Sequence, residues 1–213
     1  MEYIIIIIIS IIWLIILALV YQIKVSDIKK IKEIGFSEQL NKITDKLPEN
    51  EIVCKQILKQ LDNNVKIVSN DNAKASLYIV ATNTISIAKI KDSFTRIQTI
   101  AHECIHSVQN KKIMIFNFIY SNFYLLYFVC ICLLAIFNKT ANQLLQIYIL
   151  TFLSFIYYKV RSYLETDAMT RAPYVAKEYI KKCGDISKDE LSIIMKNYNE
   201  INGVGIKLVN FNL

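Results

Sequence analysis

The sequence predicts an α+β protein: a multi-pass α-helical membrane protein with a small cytoplasmic domain of helices and a two- or three-stranded sheet. Three observations lead there. First, 54% of the 213 residues are hydrophobic, which is high for a soluble domain. Most of the excess lies in three uncharged stretches, Tyr3 to Ile23, Ile113 to Asn138 and Thr140 to Tyr158, each close to or above the ~20 residues that cross hydrocarbon as helix. Second, the polar chain between the first two stretches changes its hydrophobic period from helical to alternating and back. Third, basic residues crowd one side. Fifteen Lys/Arg lie between Lys24 and Lys112, against Lys139 alone between the second and third stretches. That bias puts both ends of the 113–158 hairpin on the cytoplasmic face.

Taken in order, residues 1–23 form an N-terminal transmembrane anchor. They lack the basic leader and small-residue cleavage site of a signal peptide. In the 24–112 part, Ser26 to Leu47 has helical spacing up to Pro48, and Glu51 to Leu61 reads as a second helix. Val65 to Ser69, Ser76 to Val80 and Thr84 to Ala88 are β-rich or alternating, with Asn83 as a turn residue. Ser93 is the expected N-cap of a helix that runs to about Asn110. The hairpin follows, and residues 159–213 form a C-terminal helical part with a last helix over Asp185 to Asn199. Neither soluble piece has an apolar core of its own, so the two are expected to pack as one domain. The net charge of +7 does not point to nucleic acid. Residues 24–112 hold ten acids and no clustered basic-aromatic pattern. The charge fits orientation in a lipid bilayer and contact with anionic lipid. None of the five cysteines forms a CxxC pair, so a disulfide framework is not expected.

Chemistry concentrates in His102-Glu103-Cys104-Ile105-His106. On a helix, residues four apart lie ~40° apart and one turn up, so two imidazoles can grip one cation. Glu103, ~100° round from His102, can hold a water beside that cation without ligating it. These are the groups that metal-assisted hydrolysis requires. Both histidines of the chain are in the motif. Cys104, ~200° round from His102, is expected in the core. A zinc site needs a third ligand. The extended motif with a third histidine is absent, since Gln109 and Lys112 stand at its glycine and histidine positions. The next acids are Glu165 and Asp167.

The order anchor, small sheet, Ala-His-Glu-x-x-His-x-x-Gln helix, two-span hairpin and Glu-x-Asp-Ala-x-x-Arg-Ala resembles the membrane-bound neutral zinc metallopeptidases of bacteria (YugP-like). The matching residues are Ala101, His102, Glu103, His106 and Gln109, then Glu165, Asp167, Ala168, Arg171 and Ala172. The resemblance implies a zincin-like cytoplasmic domain in the bacterial plasma membrane. It implies one Zn²⁺ per chain held by His102, His106 and Glu165, with Glu103 as general base and a peptide or membrane protein as substrate. It also implies an edge strand that accepts extended peptide, for which Thr84 to Ala88 is the candidate. The alternative is a zinc-binding membrane protein without catalysis, acting as a partner or regulatory module. Glu103 favours the enzyme, because structural zinc needs no free carboxylate beside its ligands.

Asn117, Ser121 and Asn122 are candidates for lining a substrate path or for bonding neighbouring helices. Tyr163 and Tyr174 are candidates for oxyanion stabilisation, although the residue type more often marks a surface or interfacial tyrosine. Asp167 and Arg171, i and i+4, are expected to pair. Counted from a loop near Thr140, His106 is 34 residues away and Glu165 only 25, so a straight hairpin would miss by ~14 Å. A break or strong tilt is therefore expected around Asn117 to Asn122, with Ile113 to Phe118 at the interface.

Overall fold

The computed structural model describes residues 8–212 except 9, 10, 14, 17, 71, 72, 74, 89–92 and 138; the side chain of residue 212 is also left out. The chain is mostly helical with one three-stranded sheet. Two helices are long and apolar enough to cross a membrane. The expected anchor over 3–23 falls in part outside the described residues. Its described part, Ile11–Val20, is bent by 64° from the helix that follows.

The expected helix over Ser26 to Leu47 is two helices, α1 (Val25–Gly35) and α2 (Glu38–Thr44). Gly35, Phe36 and Ser37 make the break, and α1 closes with the Phe36 N–H on the Lys32 carbonyl and the Ser37 N–H on the Ile34 carbonyl. Helix α3 (Asn50–Gln60) buries Val53, Cys54, Ile57 and Leu58 at helical spacing. Strands β1 (Lys66–Asn70), β2 (Leu77–Ile79) and β3 (Thr84–Ala88) form a sheet of order β1-β3-β2. β1 runs parallel to β3 from Lys66 opposite Thr84, and β2 runs antiparallel to it with Tyr78 opposite Ile85. Asn83, at φ 48°, turns β2 into β3. Thr84 to Ala88 is therefore the central strand, hydrogen-bonded on both sides. The candidate for peptide addition is corrected to β2, whose outer side has no strand neighbour among the described residues.

Helix α4 (Arg96–Val108) begins three residues after the expected Ser93 cap, with Thr95 as N-cap. Ile97, Ile100, Ala101, Cys104 and Ile105 make its buried stripe. Arg96 anchors its start. The buried guanidinium donates to the carbonyls of Thr44 (2.7 Å), Pro48 (2.8 Å) and Leu47 (2.9 Å) and to Asn50 Oδ1 (2.9 Å). Cys104 packs against Cys54 with sulfurs 3.7 Å apart, both thiols free and buried.

Helices α5 (Lys111–Ile136) and α6 (Gln143–Cys183) form the hairpin. The Tyr120 hydroxyl donates to the Leu153 carbonyl at 2.9 Å, Tyr127 to Gln146, and Gln109 Nε2 to the Leu164 carbonyl at 2.8 Å. Each of these pairs lies equally far in sequence on either side of the peptide joining Ile136 and Phe137. The arms pair about that point, while the connection between the helices spans 137–142 and contains Thr140, where the turn was expected. With the count corrected, both arms reach the same level without a kink, and α5 is continuous through Asn117 to Asn122. The discontinuity falls earlier, between α4 and α5: Gln109 is extended, and the Asn110 side chain caps α5 by accepting from the N–H groups of Lys112 and Ile113.

α6 does not stop at the expected end of the third span. Its 41 residues carry Leu164, Ala168, Ala172, Ala176 and Ile180 as a buried ladder four residues apart. α6 packs against α4 along this stretch, where alanines let helix axes approach closely. Gly184, at φ 75°, ends it. The last helix, α7 (Lys188–Asn212), runs well past the expected Asn199 and returns along α6. Ser162 Oγ donates to Asn210 Oδ1 at 2.7 Å, and the Tyr158 hydroxyl to the Asn210 carbonyl at 3.0 Å. One core joins both soluble pieces, from Leu47 through Ile105 to Ala168, Tyr179 and Tyr198.

Candidate metal centre

His102 and His106 stand one turn apart on the flank of α4, and Glu165 faces them from α6. His102 Nε2 and His106 Nε2 are 3.0 Å apart, and Glu165 Oε2 lies 3.3 Å from the first and 3.6 Å from the second. The three donor atoms converge within 4.8 Å, and the group could hold a metal ion. The rings meet edge to face at 90°, so both imidazoles aim their Nε2 at the same space.

Gln109 links the two helices that make this group. Its Oε1 is 2.8 Å from His106 Nδ1, while its Nε2 donates to Asp167 Oδ2 and to the Leu164 carbonyl, both at 2.8 Å. An amide oxygen only accepts, so Nδ1 carries the proton and Nε2 keeps its lone pair for a cation. Asp167 is thus turned away from the metal group. It also receives Arg171 at 3.4 Å, the pair that the i, i+4 spacing predicts. Gln109 and its bond to Asp167 are contacts at the site to which the sequence assigned no role. The available signal was that Gln109 lies three residues after His106, where helical neighbours meet.

Glu103 is buried on the side of α4 nearest β2, and its Oε2 accepts the Tyr78 backbone N–H at 2.7 Å. Burial pushes its pKa up, against the pull of the two histidines and that N–H. For Glu165, burial works in the same direction but is outweighed by the bonds and charge of His102 and His106, which hold it well below the usual carboxylate range. His106 is raised: burial opposes its charge, and the bonds to Glu165 and Gln109 overcome that.

A cavity of about 440 Å³ opens over the group. Leu77 to Val80 form one wall, Glu103 and the two histidines the floor, and Arg161, Leu164 and Glu165 the far side. From α5 come Met114, Asn117, Phe118 and Ser121, one face at i, i+3, i+4 and i+7. Asn122 is not among them; it is exposed and donates to its own helix at Phe118. Tyr163 and Tyr174 are 62% and 68% exposed and do not line the cavity, which fits the surface reading and corrects the oxyanion one. The helix turns them outward.

No family model, curated protein or solved structure matches this chain.

Proposed function

We propose that this chain is a membrane-embedded zinc endopeptidase that hydrolyses peptide bonds of membrane or membrane-adjacent proteins. The observation that carries the reading is Glu103. Its carboxylate is buried yet lines the same cavity as three convergent donors, held by the edge strand and not by a cation partner. A structural metal site has no use for such a group.

The donor set suits zinc. Two imidazole nitrogens and a carboxylate oxygen are the ligand types of catalytic zinc sites, and bonds of 2.0–2.1 Å at tetrahedral angles give ligand-to-ligand edges of about 3.3–3.4 Å. The separations of 3.0, 3.3 and 3.6 Å bracket that value. His102, His106 and Glu165 would hold the ion, and Gln109 fixes the tautomer of His106. Zinc, when bound, lowers the pKa of its water toward ~7 and polarises a carbonyl. Glu103 takes the proton of the attacking water and returns it to the leaving nitrogen; its raised pKa brings it closer to neutrality, where a shuttle works best. Among the described residues β2 has no strand neighbour on its outer side, where an extended substrate can lie beside Glu103.

The membrane assignment rests on α5 and α6. Their roots carry Lys111, Lys112, Lys159 and Arg161, which favours a cytoplasmic position for the domain. The cavity face of α5 climbs about 10 Å into its apolar length, from Met114 to Ser121, and supports a substrate that arrives from the bilayer side. Replacing Glu103 by Gln is the test. The variant is expected to keep its fold and its zinc but lose more than ~100-fold in peptide hydrolysis. Activity near wild type would remove Glu103 from the mechanism.

A further inference from the structure

Arg161 is the only cationic side chain among the described residues that line the cavity. It precedes Glu165 by one turn of α6, and its Nη2 lies 3.5 Å from Glu165 Oε1. The imidazoles use the other carboxylate oxygen, Oε2. The guanidinium therefore meets the donor group from a direction that the histidines leave open. Tyr157 fixes it from behind: Nη1 donates to the tyrosine hydroxyl at 3.1 Å, and the guanidinium carbon lies 6.0 Å from the ring centroid. Even so, the side chain is 40% exposed. Glu103, by contrast, is suspended from β2, so base and cation approach the donor group from different walls.

We propose that Arg161 binds the scissile carbonyl oxygen and stabilises the negative charge that gathers on it. The inference rests on the peptidase reading. As the water oxygen bonds to the carbonyl carbon, the π pair moves onto the carbonyl oxygen and Glu103 receives one water proton. Collapse returns the pair, breaks the C–N bond and sends the amine away with that proton. Charge on the oxygen thus appears and vanishes within one turnover, and a fixed cation at that place lowers the barrier without having to reorganise. Arginine suits the position, since its charge survives partial burial and its planar fork is held by two contacts.

The competing role is that of a counter-ion which only orients Glu165, and metal content separates the two. The full chain in detergent micelles is compared with Arg161→Met and Arg161→Lys. Zinc per chain, kcat and KM on a quenched-fluorescent peptide, and the Kd of a phosphinic peptide are measured; the phosphinic group carries its anionic oxygens on a tetrahedral centre. Arg161→Met is expected to keep its zinc and to lose about 10²–10³-fold in kcat, with KM changed little. Its affinity for the phosphinic peptide should fall in step with kcat/KM, because that ligand resembles the transition state. Arg161→Lys should recover part of both. Loss of zinc in parallel with activity, a change in KM alone, or unchanged kcat each overturns the assignment. Wild-type chain that neither cleaves the peptide nor binds the phosphinic ligand overturns the peptidase reading itself.

Discussion

At the scale of single residues, the site is assembled by groups of unequal visibility. His102, Glu103 and His106 were legible because a helix converts their spacing into convergence, and Cys104 was legible as a core residue on the same reasoning. Glu165 was harder: periodicity alone left it level with Asp167, and only the motif order chose between them. The geometry now separates the two, since Glu165 Oε2 faces both imidazoles while Asp167 accepts from Gln109 and Arg171. Glu165→Ala is expected to strip zinc and hydrolysis together, read by metal analysis and peptide cleavage; full occupancy in that variant would refute its role as a ligand. Gln109→Leu leaves the His106 Nδ1–H without its acceptor and Asp167 with Arg171 alone. Zinc affinity should then fall about 10–100-fold, the usual cost of losing an outer-shell partner, as read by chelator competition. Asp167→Asn should cost less, because Gln109 keeps its bond to the Leu164 carbonyl. Arg161 carried no signal in the sequence beyond its place just after an apolar stretch, since no spacing rule links one arginine to a distant helix pair.

At the scale of elements, the letters of the second motif turn out to be two interleaved helix faces. Ala168 and Ala172 lie at 0% and 1% exposure on the buried side of α6, and Glu165, Asp167 and Arg171 are polar residues beside that ladder. Small side chains there let α6 come close enough to α4 for a carboxylate to reach the imidazoles. Ala168→Leu should push the helices apart. The expected result is a loss of about 1–3 kcal/mol in stability from overpacking, measured by denaturant unfolding, with weaker zinc binding at temperatures where the fold persists. A chain that keeps wild-type metal affinity after this change would show that the spacing of α4 and α6 is not what assembles the site. Arg96 makes the second element-scale case. Four buried oxygens from the α2–α3 connection rest on its guanidinium, so Arg96→Met strands them and should destabilise by several kcal/mol, with bonds to a charged group counted at roughly 1.5–3 each before relaxation. A melting temperature within a degree of wild type would contradict this. Strands β1 to β3 were legible within a residue or two, because alternation marks them, but their order was not. Sequence neighbours β1 and β2 are separated in space by β3, so the strand that looked like an edge is the centre.

At the scale of the whole molecule, the hairpin and the soluble pieces are one construction: α6 passes from its apolar length into the metal group without a break, and α7 returns along it to Asn210. The sequence reading divided this helix at Tyr158, because hydropathy changes there while helicity does not. The turn expected near Thr140 does lie in the connection between α5 and α6, but the register of the arms, which pair about Ile136 and Phe137, could not be counted from it. Orientation can be measured directly. In a chain whose Cys130, Cys132 and Cys183 are replaced by Ser, a membrane-impermeant thiol reagent on intact cells should label a cysteine at Asn142 and not one at Asn64; the reverse pattern would overturn the cytoplasmic assignment. The unbroken α6 has a mechanical consequence as well. Glu165 sits 22 residues from the start of a single rod, about 33 Å along its axis. A tilt of ~5° about the far end would carry the carboxylate sideways by about 3 Å, roughly the spacing of the donor atoms themselves. If the hairpin spans a bilayer as proposed, a lever of that length would make bilayer thickness, which helices accommodate in part by tilting, an input to the site: hydrolysis in vesicles of graded acyl-chain length should pass through a maximum and fall on either side of it.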